Sequence, residues 1–331
     1  MTGDTCRVRP FAVSAAEPSL TVAVLSYDGR GLLEIVLPSL EAQRFRDFHT
    51  VVVDNGSSDG TVAWLAEAWP SIEVVALPRN VGVTAALNAC FDAARTELVA
   101  LLNNDLELDP DCLGELVGAM REHPRAGSAA AKLLDFHDRG VLDGAGDVFI
   151  WQGTGARRGN GTRDAGQFDE PRAIFGACGA VAVYRRQALE RVGRFDQRFF
   201  ACYEDVDWAF RAQLAGWDCR YVPSAVAFHM GSVTLGTAAT DFVRYHMWRN
   251  TIWLVVKDYP ALALLRQAPR VLHGQLVHLR QAVRERRLRL WARAMRDAAC
   301  GLPDALRRRR AVQRTRARSL RELDAVIGFD R

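Results

Sequence analysis

The chain has 331 residues, 49% of them hydrophobic and 25% charged, which is the ordinary composition of a globular protein. No stretch reaches the roughly 20 apolar residues that a membrane-spanning helix needs, and no secretory signal opens the chain. These features predict a cytoplasmic protein, either soluble or bound peripherally to the inner face of the cell membrane. The net charge of +4 is unevenly spread, because residues 261–331 contain 18 Arg and 6 acidic residues, a net +12 that leaves −8 for the rest.

The seven cysteines form no CxxC pair, and their odd number and spacing fit neither a zinc site nor a disulfide framework. We expect most of them to be small core residues of a protein in a reducing compartment. They are Cys6, Cys90, Cys112, Cys178, Cys202, Cys219 and Cys300.

After a leader predicted for residues 1–19, buried strands alternate with amphipathic helices. The predicted strands cover residues 21–27, 49–53, 72–77 and 98–102, and the predicted helices cover residues 32–43, 61–68 and 83–94. This alternation is typical of a doubly wound, mainly parallel α/β sheet, in which ligands bind beyond the carboxyl ends of the strands.

The regular pattern weakens after about residue 135. Residues 138–167 are rich in Gly, Arg and Asp, which predicts an irregular hairpin or a flexible loop. Residues 173–184 then predict a strand, a short helix begins at Arg186, and another apolar strand ends at His229.

Polar residues end several of the predicted strands: Ser26 the first, Asp54 the second, and Asn103, Asn104 and Asp105 the fourth. Because these strand ends share one edge of the sheet, we expect their side chains to converge on one crevice. The carboxylate of Asp105 could hold Mg²⁺ or Mn²⁺ against a diphosphate. The alternative is that these residues only cap the strand and start the following helix.

A second group of acidic residues consists of Glu204, Asp205 and Asp207. Carboxylates this close together repel one another unless a cation or a raised pKa relieves the repulsion. They could cap the positive end of a helix, or one of them could take a proton from an acceptor hydroxyl.

Three further residues each have a structural and a functional interpretation. His229 is either a structural histidine or an additional metal ligand. Asp54 could accept hydrogen bonds from a nucleobase or ribose, or only from its own turn. Asn80 could line a diphosphate pocket or simply form a turn. The glycines form neither a GxxxxGK[ST] nor a GxGxxG signature, which argues against a P-loop or dinucleotide-binding protein.

Taken in order, these segments resemble the family 2 glycosyltransferases, and among them the rhamnosyltransferase-like enzymes of bacterial cell-surface polysaccharides. The resemblance covers about residues 20–255. Its most specific motifs are Asp-Asn-Gly-Ser-Ser-Asp-Gly-Thr from Asp54 and Glu-Asp-Val-Asp-Trp from Glu204. The other matching segments are residues 26–28, 79–82, 101–105, 176–180 and 193–196, together with His229 and Arg249-Asn250.

The resemblance implies a GT-A-type fold and an inverting single displacement. It implies that Ser26 and Asp54 contact the base and ribose of a nucleotide sugar, with a dTDP- or UDP-sugar as the expected donor. Asn80, Asn103 and Asn104 would shape the donor pocket.

For the chemistry, the resemblance implies that Asp105 and His229 hold a divalent metal with the donor diphosphate. Asp205 would be the general base on the acceptor hydroxyl, with Glu204 and Asp207 in support. Many relatives have Asp-Asp-Asp or Asp-x-Asp where this chain has Asn-Asn-Asp, so one fewer carboxylate is available for the metal.

From residue 251 onward, Leu and Trp recur at helical spacing among many Arg. A basic amphipathic helix of this kind suits an anionic membrane surface. The alternatives are packing on the catalytic domain, a dimer interface, and nucleic acid, which no recognised fold supports. We favour the membrane surface, where the tail would bring the enzyme to a lipid-linked acceptor.

The sequence thus predicts a leader (residues 1–19), a catalytic domain (residues 20–250) and a basic amphipathic helical tail (residues 251–331). The predicted activity is transfer of a sugar, with rhamnose as the candidate, to a hydroxyl of a glycan or lipid-linked acceptor. Two other classes remain open: a non-catalytic nucleotide-sugar-binding or membrane-scaffold protein, and a nucleotidyltransferase on a related fold.

Overall fold

The computed structural model describes residues 7–8, 18–231 and 240–328, so most of the predicted leader and Cys6 lie outside the described residues. Strands and helices alternate through the first half as predicted, and helices follow one another at the C-terminal end. The strands are β1 (Arg7–Val8), β2 (Leu20–Ser26), β3 (Phe48–Asp54), β4 (Glu73–Ala76), β5 (Leu98–Asn103), β6 (Leu106–Leu108), β7 (Ala126–Asp135), β8 (Leu142–Gly144), β9 (Asp147–Ile150), β10 (Thr154–Arg157), β11 (Arg172–Ile174), β12 (Val181–Arg185) and β13 (Asp218–His229). The helices are α1 (Arg30–Glu41), α2 (Thr61–Ala68), α3 (Val83–Ala93), α4 (Cys112–Glu122), α5 (Arg186–Val192), α6 (Glu204–Leu214), α7 (Asp241–Asp258), α8 (Ala261–Arg284), α9 (Leu288–Arg314) and α10 (Leu320–Val326).

The main sheet is mixed. Strands β4, β3, β2 and β5 lie side by side and run parallel. Strand β12 runs antiparallel between β5 and β7, and β13 pairs with β7 in parallel. The strand order is β1-β4-β3-β2-β5-β12-β7-β13-β11, with β6 paired to β13 and β8 to β7. This arrangement confirms the predicted mixed α/β sheet flanked by helices.

Helices cover both faces of the sheet, which explains why its inner strands are apolar almost without interruption. Helices α1, α2 and α4 pack on one face, and α3, α5 and α6 pack on the other. The six described cysteines are unpaired, and four of them are buried, as expected for small core residues.

One predicted element differs from the structure, and one open alternative is decided. The strand predicted for residues 173–184 is two strands, β11 and β12, because a loop around Gly176 and Gly179 interrupts it. The Gly176 carbonyl accepts a hydrogen bond from the Asp147 N–H at 2.9 Å, so this loop is tied to β9. Residues 138–167 contain an ordered hairpin of β9 and β10, in agreement with the hairpin alternative rather than the flexible loop.

The C-terminal helices pack on the rest of the protein through a third apolar cluster. Trp253 and Leu254 of α7 lie in this cluster with Phe149 of the β9–β10 hairpin. Helix α7 spans the predicted boundary between residues 250 and 251 without a break. The division into a catalytic domain and a tail therefore stays a prediction.

Helix α8 has two unlike faces. Its inner face carries small or polar residues, and a Cβ on Gly274 would lie only 2.6 Å from the Gln152 carbonyl oxygen of the β9–β10 turn. Its outer face, which we call the outer α8 face, exposes large apolar side chains. These are Leu262, Leu265, Leu272, Leu276 and Val283. Within the described ranges, no helix is long and apolar enough to cross a membrane.

The chain contains two lysines, and both are buried beside aspartates. Lys132 in β7 pairs with Asp164 at 3.0 Å and with Asp169. Lys257 in α7 pairs with Asp196 at 2.9 Å and with Asp207 of α6. The second group of charges therefore joins α7 to α6.

Candidate active site

A cavity of about 750 Å³ opens at the carboxyl edge of β2, β3 and β5, where the loop before β12, the β9–β10 hairpin and the starts of α3, α6 and α7 meet. Six of the ten predicted site residues line it. They are Asn80, Asn103, Asn104, Asp105, Glu204 and Asp205. Ser26, Asp54 and His229 lie directly behind this lining, whereas Asp207 points elsewhere.

Asp54 forms the predicted turn through one carboxylate oxygen, and its other oxygen remains able to accept a hydrogen bond from a ligand. Its Oδ2 accepts hydrogen bonds from the N–H groups of Gly56 at 3.2 Å and Ser57 at 2.9 Å. Its Oδ1 is buried and accepts no hydrogen bond from the part of the chain that the structure describes. A buried acceptor without a donor is costly, so this oxygen suits a ligand N–H or hydroxyl.

The adjoining amides are locked together. Asn80 Oδ1 accepts hydrogen bonds from Asn55 Nδ2 at 3.2 Å and from the Gly82 N–H at 2.9 Å. Ser26 is buried behind the lining, where its Oγ accepts a hydrogen bond from Asn104 Nδ2 at 3.1 Å. Asn55, which directly follows Asp54, was not among the predicted site residues.

Asp105 and His229 come together although they are far apart in the sequence, because β6 after Asp105 pairs with the end of β13. His229 Nε2 lies 3.4 Å from Asp105 Oδ1, and Nδ1 lies 2.8 Å from Asp143 Oδ2. Burial alone would lower the pKa of His229, but hydrogen bonds to these two carboxylates outweigh burial and raise it to about 9.

This pair fits a divalent metal in its donor chemistry. One carboxylate and one imidazole, with Asp143 orienting the imidazole from behind, are a common arrangement around protein-bound metals. Within residues 18–231 and 240–328, no group of three or more His, Cys, Asp or Glu could hold an ion by itself. Such an ion would therefore take its remaining ligands from a diphosphate and water, as Mg²⁺ commonly does.

Asp205 and Glu204 begin helix α6 and line the cavity side by side. Asp205 accepts hydrogen bonds from the Gly179 N–H at 3.2 Å and the Val206 N–H at 2.8 Å. Burial raises the pKa of Asp205, although these N–H groups and the charge of Arg157 oppose the shift. Burial and the charge of Asp205 raise the pKa of Glu204. Both carboxyls of this pair therefore hold a proton more readily than exposed carboxyls do.

The loop before Asp205 has a strained backbone. Phe200, Cys202 and Tyr203 have φ angles of 64°, 65° and 70°, in the left-handed region that non-glycine residues avoid. Each such residue costs on the order of 1–3 kcal/mol and persists only where its surroundings hold it. All three strained residues line the cavity, so the strain lies beside the candidate site.

Helix α7 holds this loop from behind. The buried Asn250 Nδ2 donates to the carbonyls of Phe199, Ala201 and Cys202 at 3.1, 2.9 and 2.8 Å. The neighbouring Arg249 Nη2 donates to the Phe199 carbonyl at 2.9 Å. Arg249 and Asn250 thus fix the backbone that leads to Asp205. The sequence showed them only as a segment that matches the family.

Asp207 does not reach the cavity. It is fully buried, and its Oδ2 accepts a hydrogen bond from Arg211 Nε at 2.9 Å. Its Oδ1 pairs with Lys257. The contacts of Asp207 are thus with charged side chains that join helices, and its predicted support of the base stays a prediction.

Three cavity or near-cavity residues were missed by the sequence analysis: Asp143, Asp147 and Arg157. Asp147 and Arg157 face each other across the β9–β10 hairpin and both line the cavity. Arg157 pairs with Asp143, and burial raises the pKa of Asp147 well above its ordinary value. They lie in a Gly-rich stretch without clear periodicity, so no local signal indicates them.

Solved structures share this architecture and confirm a GT-A-type glycosyltransferase fold. Mannosyltransferase PcManGT from Pyrobaculum calidifontis in complex with GDP-Man and Mn²⁺ is similar with a TM-score of 0.54 and 20% identity, covering 95% of this chain and 90% of that chain. S. aureus TarS 1-349 in complex with UDP-GlcNAc is similar with a TM-score of 0.57 and 18% identity, covering 89% and 88%. At these identities, the likeness concerns the fold alone.

The family follows from a sequence comparison. Residues 21–193, just over half of the chain, match the family model for glycosyl transferase family 2. The chain belongs to this family and is a glycosyltransferase. It is 28% identical over 257 residues to the N-acetylglucosaminyl-diphospho-decaprenol L-rhamnosyltransferase of Mycobacterium tuberculosis, covering 71% of this chain and 83% of that protein. It is also 30% identical over 211 residues to the O-antigen biosynthesis protein RfbC of Myxococcus xanthus, covering 60% and 16%.

Proposed function

We propose that the protein transfers L-rhamnose from a dTDP- or UDP-sugar, with inversion, to a hydroxyl of a lipid-linked glycan. The observation that carries this proposal is the single cavity that brings Asp105 and Asp205 together in front of Asp54. The mycobacterial relative, an L-rhamnosyltransferase named for an N-acetylglucosaminyl-diphospho-decaprenol, supports both the sugar and the class of acceptor.

In this proposal, the donor nucleotide occupies the side of the cavity formed by β2 and β3. The buried Oδ1 of Asp54 would accept a hydrogen bond from the base or the ribose. Ser26 would act from behind the lining, where it orients the amide of Asn104. Asn80 and Asn103 would complete the donor pocket.

Asp205 would act as the general base on the acceptor hydroxyl. A base must be ionised and held in place, and two backbone N–H groups hold the Asp205 carboxylate and favour its ionised form. Glu204 would support the base from its place beside Asp205 in the cavity lining, and Asp207 would be a positioning residue through its ion pairs with Arg211 and Lys257.

Asp105 and His229 would hold Mg²⁺ or Mn²⁺ with the donor diphosphate. The ion, when bound, supplies positive charge that stabilises the departing diphosphate. Asp143 would fix the His229 ring so that Nε2 faces Asp105. The Mn²⁺ in the PcManGT complex supports a divalent ion in this fold.

A donor screen by thermal unfolding tests this function. We expect dTDP- or UDP-L-rhamnose to stabilise the protein in the presence of Mn²⁺, by about 2.7 kcal/mol at one hundred times its dissociation constant. The Asp105→Asn variant should lose the Mn²⁺-dependent part of this stabilisation, because its side chain no longer attracts the cation. Asp92→Asn, an exposed aspartate outside the cavity, is the matched control.

In a second step, an acceptor is added to the nucleotide sugar and transfer is measured. N-acetylglucosaminyl diphosphate linked to a prenyl chain should cause release of nucleoside diphosphate and formation of a rhamnosylated lipid. Equal stabilisation of wild type and Asp105→Asn with and without Mn²⁺ would contradict the metal assignment. Failure to transfer from any nucleotide sugar to this acceptor would contradict the proposed substrates.

We also propose that the outer α8 face binds an anionic membrane surface, where a lipid-linked acceptor resides. Leu265 and Leu272 on this face are 77% and 64% exposed, although large apolar side chains normally turn inward on a packed helix. The opposite, inner face of α8 is the one that packs on the protein. The apolar side chains of the outer α8 face are therefore not covered by any of the described residues. Arg266, Arg270 and Arg280 on the same helix are exposed and favour an anionic lipid.

Co-sedimentation of the full chain with vesicles tests this surface. Wild type should bind phosphatidylglycerol vesicles and leave phosphatidylcholine vesicles largely unbound. The double variant Leu265→Glu/Leu272→Glu should bind more than about tenfold more weakly, because two apolar side chains leave the lipid. Leu306→Glu, which alters an exposed leucine on α9, is the control. Equal binding of wild type and double variant would refute the membrane surface, and a dimer that the double variant disrupts would assign the face to a second copy.

A further inference from the structure

A group of aromatic residues at the cavity mouth has no part in the steps above. Phe200 and Phe242 both line the cavity, and they are 40% and 39% exposed. Their ring centroids lie 6.3 Å apart, and His246 stacks on Phe200 at 5.6 Å with an interplanar angle of 19°. We call Phe200, Phe242 and His246 the mouth aromatics.

The position of Phe200 requires a strained backbone conformation. Its backbone is left-handed, and its carbonyl accepts a hydrogen bond from the Thr84 N–H at 3.1 Å at the start of α3. Its ring packs so closely on Gly82 that a Cβ there would lie 2.6 Å from the ring carbons. The adjacent Phe199 is completely buried, so the same loop turns one phenylalanine into the core and the next toward the cavity.

The chemistry of this side of the cavity indicates its occupant. The N-terminal part of α7 contributes Phe242, Val243 and Met247 to the lining, which are all uncharged. Burial and the charge of Arg249 lower the pKa of His246, so its ring stacks in the neutral form. An uncharged aromatic surface does not suit a diphosphate, but it suits the apolar CH face of a sugar ring.

We propose that Phe200 and Phe242 bind the acceptor's sugar ring by stacking, with the buried His246 ring stacked on Phe200 in support, and so bring its hydroxyl to Asp205. Phe200 is in the loop that leads into α6, so a ring held against it lies near the carboxylate at the start of that helix. Gly82 adjoins both groups, because its N–H donates to Asn80 of the donor pocket and a Cβ on it would meet the Phe200 ring. With the donor at Asp54 and Asn80, the α7 side of the cavity is left for the acceptor. This inference rests on the proposed function and adds the acceptor subsite to it.

Steady-state kinetics on Phe242→Ala and Phe200→Ala test the subsite. Each change should raise the KM for N-acetylglucosaminyl diphosphate acceptors about tenfold, because a stacked ring loses its aromatic partner. The kcat should change by less than about threefold in Phe242→Ala, which leaves the strained loop intact. Stabilisation by the nucleotide sugar should equal that of wild type, and Phe242→Tyr should keep the wild-type KM.

The controls separate the possible failures. Leu306→Ala, an exposed apolar residue outside the cavity, should behave as wild type. The increase in KM should be the same for an acceptor with a single isoprene unit and for one with a long polyprenyl chain. An unchanged acceptor KM in both alanine variants, equally weakened donor binding, or an effect confined to the long chain would overturn the stacking proposal. A wild type that transfers to neither acceptor would instead refute the proposed function.

Discussion

Replacement of Asp205 by asparagine is expected to lower kcat by about 10²- to 10⁴-fold, the contribution that general base catalysis usually makes. The amide has nearly the same shape but cannot accept the proton of an acceptor hydroxyl. Donor binding should change little, because the donor pocket of Asp54 and Asn80 does not contact this side chain. Nucleoside diphosphate release and thermal stabilisation by the donor measure the two effects separately.

The pH dependence provides a second measurement on the same carboxyl. Asp205 must be ionised to accept a proton, so activity should fall as the pH is lowered through its pKa. Because burial raises the pKa of Asp205, the decline should begin above the usual range of an aspartate. Asp92→Asn should keep the wild-type rate and pH profile. An Asp205→Asn variant that turns over like wild type would exclude Asp205 as the base.

Replacement of Lys257 by alanine is expected to destabilise the protein by about 3–5 kcal/mol, the usual cost of removing one partner from a buried ion pair. Lys257 is 1% exposed, and its removal leaves Asp196 and Asp207 buried without this cation. Urea unfolding of the full chain measures the loss. Asp207 lies two residues after Asp205 in α6, so losing its ion pair with Lys257 should also disturb Asp205. Some activity should therefore be lost at urea concentrations below those that unfold the protein.

Lys132→Ala is the matched control, since Lys132 also pairs with two aspartates from a buried position. One of these, Asp169, is 61% exposed at its side chain and stays hydrated when the lysine is removed. We therefore expect a smaller loss of stability for Lys132→Ala. Equal losses for the two variants would show that the α6–α7 ion pairs are not specially important.

The first half of the fold could be predicted because its strands and helices have distinct apolar periods. The same reasoning failed at residues 173–184, where apolar residues continue through the loop between β11 and β12. That loop exists because Gly176 and Gly179 bond to Asp147 and Asp205, which are distant in sequence. A local pattern contains no information about such contacts.

Some residues of the candidate site could likewise be predicted from the sequence, and others could not. The placement of Asp54 and Asp105 at one edge of the sheet was predictable, because Asp54 ends the buried strand β3 and Asp105 comes two residues after the buried strand β5. The roles of Asn250 and Arg157 were not, because their partners are set by tertiary packing. Asn250 bonds to carbonyls about 50 residues earlier in the chain, and Arg157 of β10 reaches Asp143 of β8. Helix α8 was predicted in part. Its leucine spacing indicated an apolar face, but not that the opposite face would pack on the protein.

The two buried lysines have a practical consequence for chemical labelling. The remaining positive charge of the chain, apart from histidines, comes from arginine, whose guanidinium does not react with acylating reagents. In the folded protein, Lys132 and Lys257 are shielded from solvent by their own salt bridges. Amine-directed dyes and immobilisation reagents therefore should not modify either lysine side chain while the protein is folded. Acylation of either lysine then reports that β7 or α7 has opened.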